Sequence, residues 1–317
     1  MTAADRRPAV NEPLRAAVAV YTILLIPRML MPLLRWAGAD AQLLGWLHIV
    51  LDYGQLMLLV AWWTRRAAPA VRITAVVWAA GVIVLAIRAP HISTYTLVYA
   101  GQAATVVAVT RQALASGSTR GLLGRSRPVM DTSIFLAAFP MMVLSSLAAQ
   151  ILWDAWPPPG SGGHDQLALI GIDTLGKAIV RMMVTSVLEE AASDLLVTGL
   201  LRRGARLEPI CVISAAVRIA YHTYMGVSAV PIALVACSMV VLYCCYGRLL
   251  PLILAHEYFD LATLLPGSDL LLWTAAGAGG LVTYTVVVAF LVRRFDQRRS
   301  RGDLDELTRL GAYQVVR

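Results

Sequence analysis

Three apolar stretches in the C-terminal half of the chain carry ionisable residues at helical spacing. They read Leu188-Glu-Glu-Ala-Ala-Ser-Asp194, Arg218-Ile-Ala-Tyr-His222 and His256-Glu-Tyr-Phe-Asp260. At ~100° per residue, Glu190 with Asp194, Arg218 with His222, and His256 with Asp260 each share one helix face. One helix therefore offers carboxylates, a second an arginine and a histidine, and a third a histidine and an aspartate. Such groups cost about 3 kcal/mol each at bilayer depth on insertion scales, and their retention marks a site or a pathway. The residue types suit hydrolysis by an activated water, the proton or substrate path of a transporter, or an ion-pair lock between helices. On residue type alone these three remain open.

The elements that position them must be membrane spans. The 317 residues are 58% hydrophobic and 15% charged, with a mean hydropathy of +0.68, too apolar for an ordinary soluble domain. Apolar runs long enough for a bilayer core of roughly 20 residues per helix predict an all-α, polytopic bundle of about ten spans. They cover 16–34, 43–63, 73–88, 92–110, 131–153, 167–201, 209–226, 229–246, 249–264 and 270–292. At ~1.5 Å rise per residue, Glu189 and Glu190 lie roughly 18 Å from Arg202, and His222 roughly 20 Å from Pro209. His256 and Asp260 lie roughly 12 and 18 Å from Arg248. The three polar faces can thus meet at one depth near mid-membrane.

The arginines orient the spans. Basic clusters fall at every second junction: Arg6, Arg7 and Arg15; Arg65, Arg66 and Arg72; Arg111 to Arg127; Arg202, Arg203 and Arg206; Arg248; and the tail from Arg293. The positive-inside rule then puts both termini in the cytoplasm. The net charge of +8 sits at span ends, as topology anchors do, and nucleic acid is not an expected partner. The first span reads as an uncleaved helix, since no small-residue cleavage site closes it. Three regions follow: N-terminal helices and a basic linker over 1–130, the polar-cluster bundle over 131–295 with its motifs within 167–265, and a charged tail over 296–317. Pro157–Gly163 is an outside loop flanked by Trp153 and Trp156, and Ala275–Gly280 a small-residue packing face. Cys211, Cys237, Cys244 and Cys245 show neither zinc nor disulfide spacing and read as packing residues.

The ordered triple resembles the CPBP (CAAX protease and bacteriocin-processing) intramembrane peptidases, which include the type II CAAX prenyl endopeptidases. Their pattern is a Glu-Glu-x-x-x-Arg helix, then Phe-x-x-x-His, then His-x-x-x-Asn/Asp. Glu189-Glu190, His222 and His256-x-x-x-Asp260 stand in that order on separate segments, and the resemblance covers roughly 167–265. Each motif alone is weak: His48 and Asp52 form another His-x-x-x-Asp with no glutamate pair nearby. Two positions depart from the pattern. Asp194 replaces the arginine and Arg218 the phenylalanine, which suggests that the guanidinium has moved to the neighbouring helix to pair with Glu190 or Asp194.

The resemblance implies an intramembrane endopeptidase that acts on a membrane-anchored or juxtamembrane protein or peptide. Glu189 would be the general base, with His222 sharing its proton, and His256 and Asp260 would stabilise the oxyanion. Glu190, Arg218 and Asp194 would form a structural ion pair. No cofactor is required; a divalent metal such as zinc, the basis of a metalloprotease reading, would take Glu189, His222 and His256. Lys177 and Arg181 read as side chains that snorkel to the outer interface, with an entrance lining as the alternative. The expected partners are the lipid bilayer and the anchored substrate, and the expected location is the plasma membrane. A proton-coupled transporter and a catalytically inactive scaffold or immunity protein are the alternatives that use the same cluster.

Overall fold

The computed structural model describes residues 3–65, 67–88, 94–115, 128–158 and 175–263. Among these the chain is all helical: α1 (Ala3–Trp36), α2 (Ala41–Thr64), α3 (Pro69–Arg88), α4 (Thr94–Ala115), α5 (Pro128–Ala155), α6 (Leu175–Arg202), α7 (Leu207–Tyr221), a 3-10 helix (Thr223–Ala229), α8 (Ile232–Tyr246) and α9 (Leu250–Ala262). The expected span 270–292, its Ala275–Gly280 face, the tail 296–317 and most of the Pro157–Gly163 loop lie outside the described residues.

The protein is integral to a membrane, but its spans are less uniform than hydropathy suggests. Among the described residues, three helices can cross a bilayer by length and composition: Glu12–Trp36, Gln42–Thr64 and Val129–Ala155. With 28 residues, α6 is long enough, yet it carries Lys177, Arg181, Glu189, Glu190 and Asp194. With 15, 15 and 13 residues, α7, α8 and α9 rise only about 20–23 Å, short of a core of ~30 Å. The segment expected as one span over 209–226 stops at Tyr221. His222 caps α7, and Gly226 adopts φ 60°, ψ −132°, a conformation that only glycine adopts readily. The 3-10 helix and α8 then meet at 89°. A hydropathy window sums over this corner, because its residues are as apolar as those of a straight helix.

Two packed groups flank the polar cluster. α1, α4 and α6 share a core of Ala17, Val20, Val106, Leu188, Ala191 and Leu195. α5, α8 and α9 share another, with Ile134, Met142, Met239, Leu242 and Leu252. α1 approaches α6 closely enough that a Cβ on Gly199 would stand 2.6 Å from the Leu14 backbone. Glutamines tie the N-terminal helices together inside the apolar phase, where each polar group must find a protein partner. Gln102 donates to the Asp52 carbonyl (2.9 Å) and to Gln55 (3.2 Å), and Gln55 donates to the carbonyls of Ile23 and Leu24. At one end of the bundle Arg65 pairs with Glu12, and Arg248 with Asp131, which clamps the α8–α9 turn to the start of α5. Large apolar side chains such as Ile26, Trp46, Val77 and Ile151 point outward, as a lipid-facing surface requires.

Candidate active site

The three polar faces meet. Glu189 and Glu190 sit in the middle of α6, only 6% and 1% exposed, and Arg218 near the end of α7 is 5% exposed. The guanidinium reaches both carboxylates: Nη2 donates to Glu190 Oε1 at 2.5 Å and Nη1 to Glu189 Oε2 at 3.4 Å. Nη2 also lies 3.4 Å from Ser193 Oγ, which Tyr21 of α1 contacts at 3.2 Å. From α9, His256 Nδ1 donates to the same Glu190 oxygen at 2.9 Å. Its Nε2 faces Asp260 at 3.7 Å, and Ser186 Oγ donates to Asp260 at 3.2 Å. A buried ion of either sign needs both a counter-charge and further hydrogen bonds, and Glu190 supplies them to two helices at once.

His222 is fixed differently. Its Nδ1 lies 2.9 Å from the Arg218 carbonyl. A carbonyl can only accept, so Nδ1 carries the hydrogen, and the lone pair of the neutral ring lies on Nε2. The ring sits at the α7 C-cap, between Tyr221 and Tyr224.

Of the two carboxylates expected as partners of Arg218, the guanidinium bonds Glu190, and Asp194 bonds elsewhere. One turn beyond Glu190, its Oδ1 accepts from Thr198 at 3.1 Å, and the Tyr243 hydroxyl and the Arg202 guanidinium flank it. α6 turns Asp194 toward α8, whereas the α7 guanidinium lies level with Glu189 and Glu190. Spacing places Glu190 and Asp194 on one face, but it cannot say which of them a given partner helix meets.

A cavity of about 510 Å³ brings the remaining groups together. Glu189, Arg218, His222, His256 and Asp260 line it, and Glu190 lies behind them. Its far wall comes from helices not expected to contribute: Arg35 from α1, His48, Asp52 and Gln55 from α2, and Tyr99 from α4. The second His-x-x-x-Asp, weak as a sequence motif, is thus part of the same cavity. Arg181 also lines it, with its guanidinium 4.9 Å above the Tyr99 ring. The Lys177 side chain lies outside the described residues. Ser186 and Ser193 were detectable in the sequence as polar residues on the Glu190 face; nothing in the sequence pointed to Tyr21 or Tyr99.

The donors do not fit a zinc site. Among the described residues no group of three His, Cys, Asp or Glu side chains is arranged to hold an ion. The Arg218 guanidinium stands beside Glu189, where its charge would oppose a metal cation.

Carboxylates, imidazoles and a guanidinium thus line one cavity. Residues 172–262, the stretch that holds all three motifs, match the family model described as Type II CAAX prenyl endopeptidase Rce1-like. The match agrees with the resemblance carried by the motifs; α1 to α5 lie outside it. No curated protein and no solved structure matches the chain.

Proposed function

We propose that the cavity is the active site of an intramembrane endopeptidase, which hydrolyses a peptide bond in a membrane-anchored or juxtamembrane protein or peptide. The observation that carries this reading is the presentation of Glu189. Its carboxylate lies on the cavity wall, held by Arg218, and His222, His256 and Asp260 line the same space.

In this mechanism Glu189 takes a proton from a water as that water attacks the scissile carbonyl carbon. Nε2 of His222 accepts from the same water and sets its direction of approach. The carbonyl π electrons move to oxygen, and the oxyanion develops on the side of His256, whose ring Glu190 and Asp260 orient. The C–N bond then breaks, and the proton held by Glu189 passes to the leaving amine. A positioned general base of this kind contributes about 10²–10⁴-fold, and preorganised oxyanion donors a comparable factor. The sets Ser186–Asp260–His256 and Ser193–Arg218–Glu190 act as supports, since each serine bonds a charged group instead of standing beside a base as a nucleophile.

The test is cleavage of membrane-anchored peptides by the purified full-length protein in lipid nanodiscs. Glu189→Gln and His222→Ala should each lower the rate at least about 10²-fold, and a strong chelator should leave the wild-type rate unchanged. Equal cleavage by all three proteins would remove the mechanism, and chelator-sensitive cleavage would replace it with a metal-dependent one.

A further inference from the structure

α1 lies outside the matched segment 172–262, yet one of its side chains reaches the polar cluster. The Tyr21 hydroxyl stands 3.2 Å from Ser193 Oγ, and Ser193 Oγ accepts from Arg218 Nη2 at 3.4 Å. The same guanidinium holds Glu190 through Nη2 and Glu189 through Nη1. A continuous set of hydrogen bonds thus runs from the N-terminal helix to the carboxylate on the cavity wall. Helix packing sets it up. Gly199, without a Cβ, admits the Leu14 backbone, and Ala17, Ala191 and Ala192 keep the contact between the two helices narrow. Tyr21 stands about two turns beyond Leu14 on α1, and Ser193 nearly two turns before Gly199 on α6, so antiparallel packing brings the two hydroxyls level.

We infer that Tyr21 is a positioning residue of the active site, which fixes the Arg218 guanidinium through Ser193 and thereby the carboxylate of Glu189. The inference rests on the peptidase reading for its kinetic consequence. Three physical points support it. A guanidinium is planar and its donors form a rigid fork, so the direction of Nη2 sets that of Nη1. Bonded to Glu190 alone, the plane would be free to swing about the line from Nη2 to Glu190 Oε1; a second acceptor at Ser193 removes that freedom. A serine within a helix can also turn its hydroxyl to the carbonyl four residues back, as Ser186 does to Met182 at 2.9 Å. Tyr21 gives Ser193 a partner on the α1 side and holds Oγ in the rotamer that meets Arg218. Finally, displacing a catalytic group by about 1 Å can cost on the order of 10²-fold in rate. The contact from Nη1 to Glu189 is already long at 3.4 Å, so a small rotation of the plane would break it. Tyr21 does not line the cavity of about 510 Å³; its route to the chemistry is Ser193.

The experiment measures cleavage of N-lauroyl decapeptides of mixed sequence by the full-length protein in nanodiscs, with kcat and KM determined for the peptide cleaved best. Wild type is compared with Tyr21→Phe, which removes one oxygen, with Ser193→Ala, with the conservative Ser193→Thr, and with Tyr21→Phe and Ser193→Ala combined. Ser193→Ala should lower kcat about tenfold and Tyr21→Phe about fivefold, each with KM unchanged. The combined variant should lose no more than Ser193→Ala alone, because both changes cut the same chain of contacts. Ser193→Thr keeps the hydroxyl and should retain most of the rate. A tyrosine that only stabilised the packing of α1 would lower the melting temperature and leave kcat of the folded protein unchanged, which overturns the inference. Losses that multiply in the combined variant, or a rise in KM alone, overturn it as well. If wild type cleaves no peptide, the peptidase reading falls, and thermal unfolding decides the contact by itself. The drop in melting temperature caused by Tyr21→Phe should then vanish in the Ser193→Ala background, and an equal drop in both backgrounds overturns the positioning role.

Discussion

Glu190 Oε1 accepts from Arg218 and His256 together, so one buried oxygen joins α6, α7 and α9. Removing one partner of a buried pair leaves an uncompensated charge and costs about 3–5 kcal/mol. Glu190→Ala should therefore lower stability by roughly 3 kcal/mol, the low end, since Arg218 keeps Glu189; thermal unfolding in detergent would read it. Glu189→Gln retains the shape and should remove cleavage while leaving the melting temperature within a few degrees. The same geometry revises the relation between the two departures from the family pattern. Asp194 is bonded by Thr198 and flanked by Tyr243, so a double-mutant cycle between positions 194 and 218 should show coupling below about 0.5 kcal/mol, whereas 190 and 218 should couple by well over 1 kcal/mol. Strong coupling between 194 and 218 would instead make Asp194 a second partner of the guanidinium.

At the scale of elements, the site depends on two glycines with different roles. Gly226 turns the chain after His222 in a conformation closed to other residues, and a Cβ there would also meet Pro158 at 3.3 Å. Gly226→Ala should cost about 1–3 kcal/mol in strain and lower peptide cleavage by moving His222. Gly199 lets α1 approach α6, and Gly199→Ala should cost about 1–3 kcal/mol by forcing the Leu14 backbone away. Gly81 in the middle of α3 has open space around its Cα. Gly81→Ala is the control, expected to be neutral or stabilising by about 0.5–1 kcal/mol because alanine is the better helix former.

At the scale of the molecule, the N-terminal helices form one wall of the cavity and are not an appendage to the matched segment. α1, α2 and α4 close one side of the space that α6, α7 and α9 furnish with ionisable groups. The alternation of arginines predicts the orientation of the whole. The α2–α3 turn, with Arg65 and Arg72, should face the cytoplasm, and the α1–α2 turn the opposite side. Cysteines introduced singly at Ala37 and Ala68, both exposed at those turns, test it in intact cells. A membrane-impermeant maleimide should label Ala37→Cys at once and Ala68→Cys only after permeabilisation. The reverse pattern would invert the topology and place the tail on the other side.

Membrane insertion, the helical class and the polar segments were legible in the sequence because each is a local property. Hydropathy reports runs of apolar residues, and a charge inside such a run stands out whatever surrounds it. The ordered glutamate pair and two histidines also carried the family resemblance by themselves. What only the tertiary structure decided are the relations between helices. Rotation of α6 about its axis chose Glu189 and Glu190 for Arg218 and turned Asp194 toward Tyr243. Gly226 broke a segment that hydropathy read as continuous. Packing of α2 against α4, and of α4 against α6, brought His48, Asp52 and Tyr99 to the same cavity as Arg181, some 80 to 130 positions away in sequence. Spacing fixes a face of one helix; which faces meet is set by close packing, which depends on every side chain between them.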